Sequence, residues 1–579
     1  MSSDEHYDVI VVGSGFGGSV AAYRLAQSGL RVCVLERGKA YPPGSFARRP
    51  REMAANYWDP SQGRHGLFNF WSFRGIEAVV SSGLGGGSLI YANVMIRKDE
   101  RWFVQDGPSG AGYEPWPITR ADLDPHYEQV ERMLTVTPYP LEAPDHRDMP
   151  KTRAMQEAGQ RLGLQWGLPN LAVSFAASPQ APPKVGVPIA EGDYPNLHEQ
   201  TRLTCRLCGE CDIGCNYGSK NTLDHTYLSA AKHHGADIRV RSEVRRFQPR
   251  EGGGFSVHYV EHHPHQEGRP TETSKLPHRV LTAARVVLAA GALGTPYLLL
   301  RNRSAFPRLS PALGTRFCGN GDLLTLLLRG RQPGGGPRVL DGSRGPVITS
   351  FLRVPDRADP DGDGPGYYIQ DAGYPGFIDW LAENTQVRST AHRLLRFAAR
   401  RIWARIAKSP KSDLSAELAL LHGTSELSSG SLPLLGMGRD VPDGVMKLRR
   451  GYLDIDWTVA TSKPYFARVK STMAAMADEL GARFRENPLS HLKRVITVHP
   501  LGGCPMGKDD RHGVVDSYGQ AFNYPGLYIA DGSVMPGPVG PNPSLTIAAF
   551  ADRMAEKIID STTTTSEQHP AMTTNQGTP

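Results

Sequence analysis

Residues 7–38, YDVIVVGSGFGGSVAAYRLAQSGLRVCVLERG, leave this chain little freedom in how it begins. Val9 to Val12 form an unbroken apolar run, as expected of a strand buried on both faces of a parallel sheet. Gly13, Gly15 and Gly18 follow as G-x-G-x-x-G, with Phe16 inside the spacing. The first glycine allows the turn, the second lets backbone approach a pyrophosphate, and the third lets a helix pack on the strand. An Ala-rich helix then offers its free N–H groups and positive dipole end to an anion. A second strand, Arg31 to Leu35, ends at Glu36, whose carboxylate is placed to accept hydrogen bonds from a ribose diol, with Arg37 beside it. Three glycines alone occur in many turns. Both strands, the helix and the acid at their proper distances make this a Rossmann-type dinucleotide unit, which FAD and NAD would serve equally.

At 579 residues the chain exceeds what one simple core accommodates, and two or three lobes are expected. Its 63 glycines and 46 prolines require many tight turns. The formal charge of +7 is diluted over this length and gives no argument for nucleic acid. No apolar run reaches ~18 residues, so no transmembrane helix is expected. The N-terminus lacks the basic segment and cleavage site of a secretory signal, which points to the cytoplasm, where thiols stay reduced. Residues 561–579 are polar and repetitive and read as a disordered tail.

Further glycine-rich turns narrow the choice of cofactor. GLGGGS carries Gly85, Gly87 and Ser88; AAGALGT carries Ala290 and Gly291; HPLGGC begins at His499; a strand ends at Asp531-Gly532, where an acid can meet a ribityl chain or a pyrophosphate water; Asn542-Pro543 opens the last long helix. With GSGFGG, these ordered motifs resemble the glucose-methanol-choline (GMC) oxidoreductase family, and within it the bacterial cholesterol-oxidase-like branch. The resemblance implies FAD and an α/β fold. The FAD-binding domain would be assembled from residues 1–45, 75–135, 220–320 and 490–560. A substrate lobe of residues 46–74, 136–219 and 321–489 would place a mainly antiparallel sheet over the flavin. Val244 is counted among the implied cofactor contacts. Tyr91 stands where the family has an Asn after the glycine loop, and Asn93 follows two residues on.

Oxidising an alcohol by hydride transfer to flavin N5 requires the hydroxyl proton to leave while the C–H points at the ring. A histidine and a second polar residue sharing the hydroxyl meet both needs. The resemblance assigns these roles to His499 and Asn542. The residues agree: His499 closes the run Val495 to Val498 and precedes a Pro-Leu-Gly-Gly turn. The expected substrate is a hydrophobic secondary alcohol, a sterol or steroid 3-hydroxyl being favoured, with O2 or an external acceptor taking the electrons. A redox-neutral flavin isomerase of a steroid or terpenoid, and a membrane-associated flavin and sterol binder without turnover, stay open. The sterol oxidases of this branch carry a glutamate base that shifts a double bond after oxidation. The matching position falls on Gln370, which carries no proton between carbons; Asp371 beside it would substitute if the strand register differs by one, a step that flips the side chain to the other face.

Four of the seven cysteines, Cys205, Cys208, Cys211 and Cys215, form C-x2-C-x2-C-x3-C within the Cys-rich loop 201–220. This is the ferredoxin spacing, except that Asn216 stands where Pro usually follows. An iron–sulfur cluster is the first reading, with Arg206 and Lys220 offsetting its charge and with Cys504 or Cys318 as alternative ligands. Metal-free thiols or a disulfide, and zinc, remain open. Residues 388–411 carry Arg388, Arg393, Arg396, Arg400, Arg401, Arg405, Lys408 and Lys411 with apolar residues at helical spacing. They suit either a peripheral contact with the inner membrane surface or a solvated surface helix. DPDGDG at 359–364 imitates a calcium loop but has Gln370 at the twelfth position, so a solvated turn is expected.

Overall fold

The computed structural model describes residues 5–106, 112–190, 192–375, 429–487 and 494–567. The N-terminal apolar run forms strand β1 (His6–Val12), followed by helix α1 (Phe16–Gln27) and strand β2 (Val32–Leu35). β1 and β2 are parallel, with Val9 opposite Val32 and Val12 opposite Leu35, and Val9, Ile10 and Val11 are wholly buried. Covering on both faces is why the run carries no polar alternation. On its other side β1 pairs in parallel with β3 (Arg279–Leu288).

β3 changes partner along its length. Arg279 to Ala283 pair antiparallel with the Phe255–Glu261 strand, whereas Val286 to Leu288 pair in parallel with the Leu527–Ile529 strand. Asp237–Arg239 and Ser242–Pro249 complete a seven-stranded sheet. The C-terminal ends of β1, β2, β3 and Leu527–Ile529 therefore open on one crevice, where doubly wound sheets bind nucleotides. Helix α2 (Ser544–Glu567) packs on α1. It runs into the segment expected to be a disordered tail, so that expectation fails for residues 561–567. The hydroxyls of Ser561 and Thr562 bond Ile558 O at 2.7 and 2.9 Å, which lets polar residues stay helical.

The second lobe is built on a six-stranded sheet in the order Gln165–Gly167, Phe351–Val354, Tyr367–Asp371, Leu432–Gly438, Leu323–Leu328, Arg483–Glu486. Every pairing in it is antiparallel. Alternation along Tyr367–Asp371 decides what reaches the site. Tyr367 and Ile369 join the cluster that includes Met155 and Met473 from the covering helices Pro150–Leu162 and Lys463–Glu479. Tyr368 packs on the opposite side with Trp102, and Gln370 shares that side.

A small three-stranded sheet links the lobes. Phe68–Ser72 and Ile76–Ser81 form a hairpin, and Val495–Thr497 pairs in parallel with Ile76 to Ala78. The strand leading into the GLGGGS loop thus lies beside the strand leading to His499. The lobe boundary expected between residues 74 and 75 passes through the turn of this hairpin. Among the described residues no helix is long and apolar enough to cross a membrane. The basic stretch 388–411 lies outside the described residues. In the DPDGDG turn, Asp359 accepts bonds from Trp102 Nε1 at 3.1 Å and Arg353 Nη2 at 2.7 Å, and Asp363 pairs with Arg468.

Candidate active site

The glycines of the crevice fall into two kinds. A Cβ on Gly13 would lie 2.4 Å from Ala289 O, one on Gly18 2.0 Å from Gly13 O, and one on Gly86 2.6 Å from Gly15 Cα. Those positions are closed by backbone. A Cβ on Gly15, Gly87 or Gly291 would meet nothing within 4 Å, so these three border open space. Gly15→Ala is therefore expected to fold with an unchanged Tm as apoprotein while binding FAD at least ~10-fold more weakly, because its methyl enters the cradle and not the core. Flavin retention on gel filtration, set beside thermal melting, checks it.

Glu36 fixes that cradle. Its Oε2 accepts from Ser14 N at 3.0 Å and Ser14 Oγ at 2.6 Å, and its Oε1 from Gly38 N at 2.8 Å. Ser14 Oγ in turn accepts from Gly85 N at 3.0 Å, so the acid expected on a ribose also ties the two glycine loops together. A carboxylate offers about four acceptor sites, which leaves one for a diol. Arg37 lies over the Trp58 ring, 5.4 Å from its centroid, and burial lowers its pKa.

Asp531 is held on both carboxylate oxygens. Its Oδ2 accepts from Gly291 N at 2.9 Å and Thr295 Oγ1 at 2.5 Å, its Oδ1 from Ser533 N at 2.9 Å and Ser533 Oγ at 2.5 Å. Burial raises its pKa against these four donors. These bonds tie Asp531 to the start of the Gly291–Arg301 helix, which Ala290 precedes, and to the turn at Gly532. Val244 is buried opposite Tyr259. Pro543 O accepts from Ile547 N in the first turn of α2, and Ser88 Oγ donates to Gly85 O.

Around this loop several buried polar atoms have no partner in the chain: both amide atoms of Asn93, Tyr91 Oη and Asp224 Oδ1. The Phe16 ring meets Tyr91 edge-on at 5.4 Å. Buried orphans of this kind are rare in native proteins. Open cradle, helix N-terminus and unpaired donors and acceptors together fit FAD.

The expected catalytic pair is held from one short segment. Asp322 Oδ1 bonds His499 Nδ1 at 2.8 Å, and its Oδ2 accepts from Thr497 Oγ1, Val498 N and His499 N at 3.0, 2.8 and 3.1 Å. Asn320 Oδ1 accepts from Gly540 N at 2.9 Å while its Nδ2 donates to Gly540 O and Pro541 O, each at 3.2 Å. Residues 318–322, Cys-Gly-Asn-Gly-Asp, thus grip the chain just before His499 and just before Asn542. Neither Asn320 nor Asp322 was foreseen; the available signal was an acid directly ahead of an apolar strand, Leu323–Leu328.

Asn542 is buried, and its Oδ1 accepts from Gln370 Nε2 at 2.7 Å. Asp371 is turned to the far face. It accepts from Thr349 Oγ1 and Ser350 N at 2.6 Å each and pairs with Lys151 Nζ at 3.2 Å. Asp371 is therefore no substitute for a base at the site.

The chemistry follows from these bonds. With Nδ1–H directed at a buried carboxylate, His499 keeps Nε2 as an acceptor for a hydroxyl proton. With its carbonyl oxygen occupied, Asn542 keeps its amide N–H groups to orient an alcohol oxygen.

The four clustered cysteines and Lys220, Arg206 and Tyr217 line one cavity. All seven cysteines are free thiols, so the disulfide alternative fails here. Cys318 and Cys504 are buried elsewhere: Cys318 beside Asp440 and Asn320, Cys504 beside Asp531 and Ser533. Neither reaches the cavity as an alternative ligand. Leu207 N donates to Cys205 Sγ at 3.5 Å, and backbone groups of Glu210 and Val347 serve Cys208 and Cys211. Burial raises the pKa of Cys205, Cys208 and Cys211, with Cys208 pushed up to about 12.

Comparison with known proteins agrees with this geometry. GMC oxidoreductase family models match residues 7–319 and 439–551. A cholesterol oxidase of Mycobacterium tuberculosis (strain H37Rv) is 30% identical over 575 residues, covering 95% of this chain and 90% of its own. One from Acinetobacter baumannii is 27% identical, covering 98% and 97%. A 6'''-hydroxyparomomycin C oxidase of Streptomyces lividus is also 27% identical, covering 96% and 92%. The crystal structure of pyridoxine 4-oxidase from Mesorbium loti shares the fold, with a TM-score of 0.54 at 18% identity, over 97% of this chain and all of that one. From the nucleotide cradle to the Asp322-held imidazole, the chain belongs to the GMC oxidoreductase family and is an FAD-dependent alcohol oxidoreductase.

Proposed function

We propose that the protein oxidises a hydrophobic secondary alcohol, a sterol or steroid 3-hydroxyl, and passes the electrons out through an iron–sulfur cluster held by Cys205, Cys208, Cys211 and Cys215. The observation that carries the first half is the pairing of His499 and Asn542 from one clamp, with Gln370 behind Asn542. FAD, held by the Gly15, Gly87 and Gly291 surfaces, supplies the acceptor for the carbinol hydride when bound. The chain's own part is to remove the hydroxyl proton at His499 Nε2 and to orient the oxygen through Asn542. The steroid class draws on the relatives named cholesterol oxidases.

Gln370 bears on the product. A proton shuttle between ring carbons needs a carboxylate, and the glutamine at this position donates to Asn542 instead. A 5-ene-3β-hydroxysteroid is expected to leave as the unconjugated 5-en-3-one. Chromatography of the first turnovers checks this, and immediate appearance of the conjugated 4-en-3-one argues for an isomerase step.

For the cluster, four sulfurs on one cavity, N–H donors to three of them and two cationic side chains are what an iron–sulfur site requires. Zinc would draw its ligands closer together, at about 2.3 Å from one ion. The group that does close to within 4.8 Å among the described residues is His198, Asp224 and His225, not these thiols. Protein purified without air is expected to show a broad brown absorbance over the flavin bands, and Cys211→Ser is expected to lose most of its iron. Wild-type protein without iron would refute the cluster while leaving alcohol oxidation intact, with electrons going to O2.

A further inference from the structure

Lys220 is a buried lysine that neither the nucleotide cradle nor the catalytic pair employs. Its side chain is 1% exposed. Nζ donates to Leu89 O at 3.1 Å, Tyr91 O at 2.8 Å and Cys211 O at 2.9 Å, which places all three ammonium protons. Leu89 and Tyr91 belong to the end of the GLGGGS loop, which packs on Gly15 of the nucleotide turn. Cys211 belongs to the thiol cavity, which Lys220 itself lines. Nζ also stands 4.8 Å from the centroid of the Tyr91 ring, whose buried hydroxyl has no partner. One cation is thus bonded to the backbone of the flavin-side loop and to that of the cysteine loop, with an aromatic ring alongside.

A buried positive charge is costly unless something nearby repays it, and three carbonyls alone repay it weakly. Burial lowers the Lys220 pKa, and Asp212 and Asp224 oppose it, as would Cys211 and Cys215 once they bind a cluster as thiolates. A cluster ligated by four thiolates carries negative charge that grows on reduction, so this cation would favour the reduced state. Net charge and hydrogen bonding near the sulfurs are the levers that set such potentials.

We propose that Lys220, with the Tyr91 ring, is the positioning residue for internal electron transfer, fixing the flavin loop to the cysteine loop and raising the potential of the cluster so that electrons leave the flavin toward it. The inference rests on the cluster assignment made above. Oxidation of one alcohol to a ketone releases two electrons and two protons. His499 takes the hydroxyl proton, the hydride carries the other hydrogen with both electrons, and its proton returns to solvent. The electrons pass singly to two equivalents of an external one-electron acceptor such as ferricenium.

The test uses holoenzyme purified without air. Lys220→Gln keeps an N–H donor for the carbonyls and removes the charge, and Lys220→Arg keeps the charge. Redox titration followed by electron paramagnetic resonance is expected to show the cluster of Lys220→Gln at least tenfold harder to reduce, about 59 mV for one electron, with Lys220→Arg close to wild type. In anaerobic stopped flow, cluster bleaching in Lys220→Gln should lag flavin bleaching at least ~10-fold more than in wild type. A Lys220→Gln protein with full iron, wild-type potential and wild-type lag overturns the proposal. Should Lys220→Gln not retain iron, Tyr91→Leu keeps the Lys220 bonds, which go to the Tyr91 main chain, and is expected to lengthen the same lag. An unchanged lag there overturns it equally. Wild-type protein without iron fails the cluster assignment itself, a result visible before any variant is made.

Discussion

His499→Gln is expected to lower kcat for alcohol oxidation by ~10²–10⁴, the range for loss of a positioned general base, with FAD bound at full occupancy. Glutamine occupies similar volume and can still donate toward Asp322, so the three backbone and hydroxyl bonds on Asp322 Oδ2 survive. What it lacks is a basic nitrogen at the position of Nε2. The flavin cradle is built from other segments, the Gly13–Gly18 turn, the Gly85–Ser88 loop and Gly291, so the yellow protein should purify normally. The measurement is anaerobic flavin bleaching by saturating alcohol in stopped flow, with flavin stoichiometry read from the same sample. Bleaching within tenfold of wild type would remove His499 from the chemistry.

Asp322→Asn is expected to cost nearly as much for a different reason. The amide oxygen can keep the donors of Thr497, Val498 and His499, but its NH2 then faces His499 Nδ1. Two donors cannot face each other, so the imidazole must place its proton on Nε2 and become an acceptor at Nδ1. That is the wrong tautomer for taking a hydroxyl proton, and such changes behind a catalytic imidazole cost up to ~10⁴ in kcat. The fall should lie in kcat and not in KM, because Asn542 and its bond from Gln370 are unchanged. A wild-type kcat would show that Asp322 only supports the loop.

The nucleotide half was legible because its chemistry is local: strand, turn, helix, strand and acid lie within residues 7–38, and spacing alone reports them. Glu36 and Asp531 were read as cofactor contacts, yet each carboxylate accepts bonds from the loops around it. The sequence marks an acid at a strand end but not which donors reach it. Asn320 and Asp322 were illegible for the opposite reason. Their partners lie 220 and 177 residues away, and no periodicity encodes a bond across that separation. Gln370 was placed correctly on its strand because alternation of side chains is strict, while its bond to Asn542 belongs to the meeting of two lobes.

Residues 318–322 carry one last implication. This pentapeptide bonds His499 and the chain just before Asn542, the two groups proposed to touch the alcohol, so its opening is expected to loosen both at once. When it opens, the acid–base group and the orienting amide depart in concert, and the flavin stays behind in a pocket that has forgotten its reaction. Local opening of one short stretch is then expected to end activity before either sheet melts.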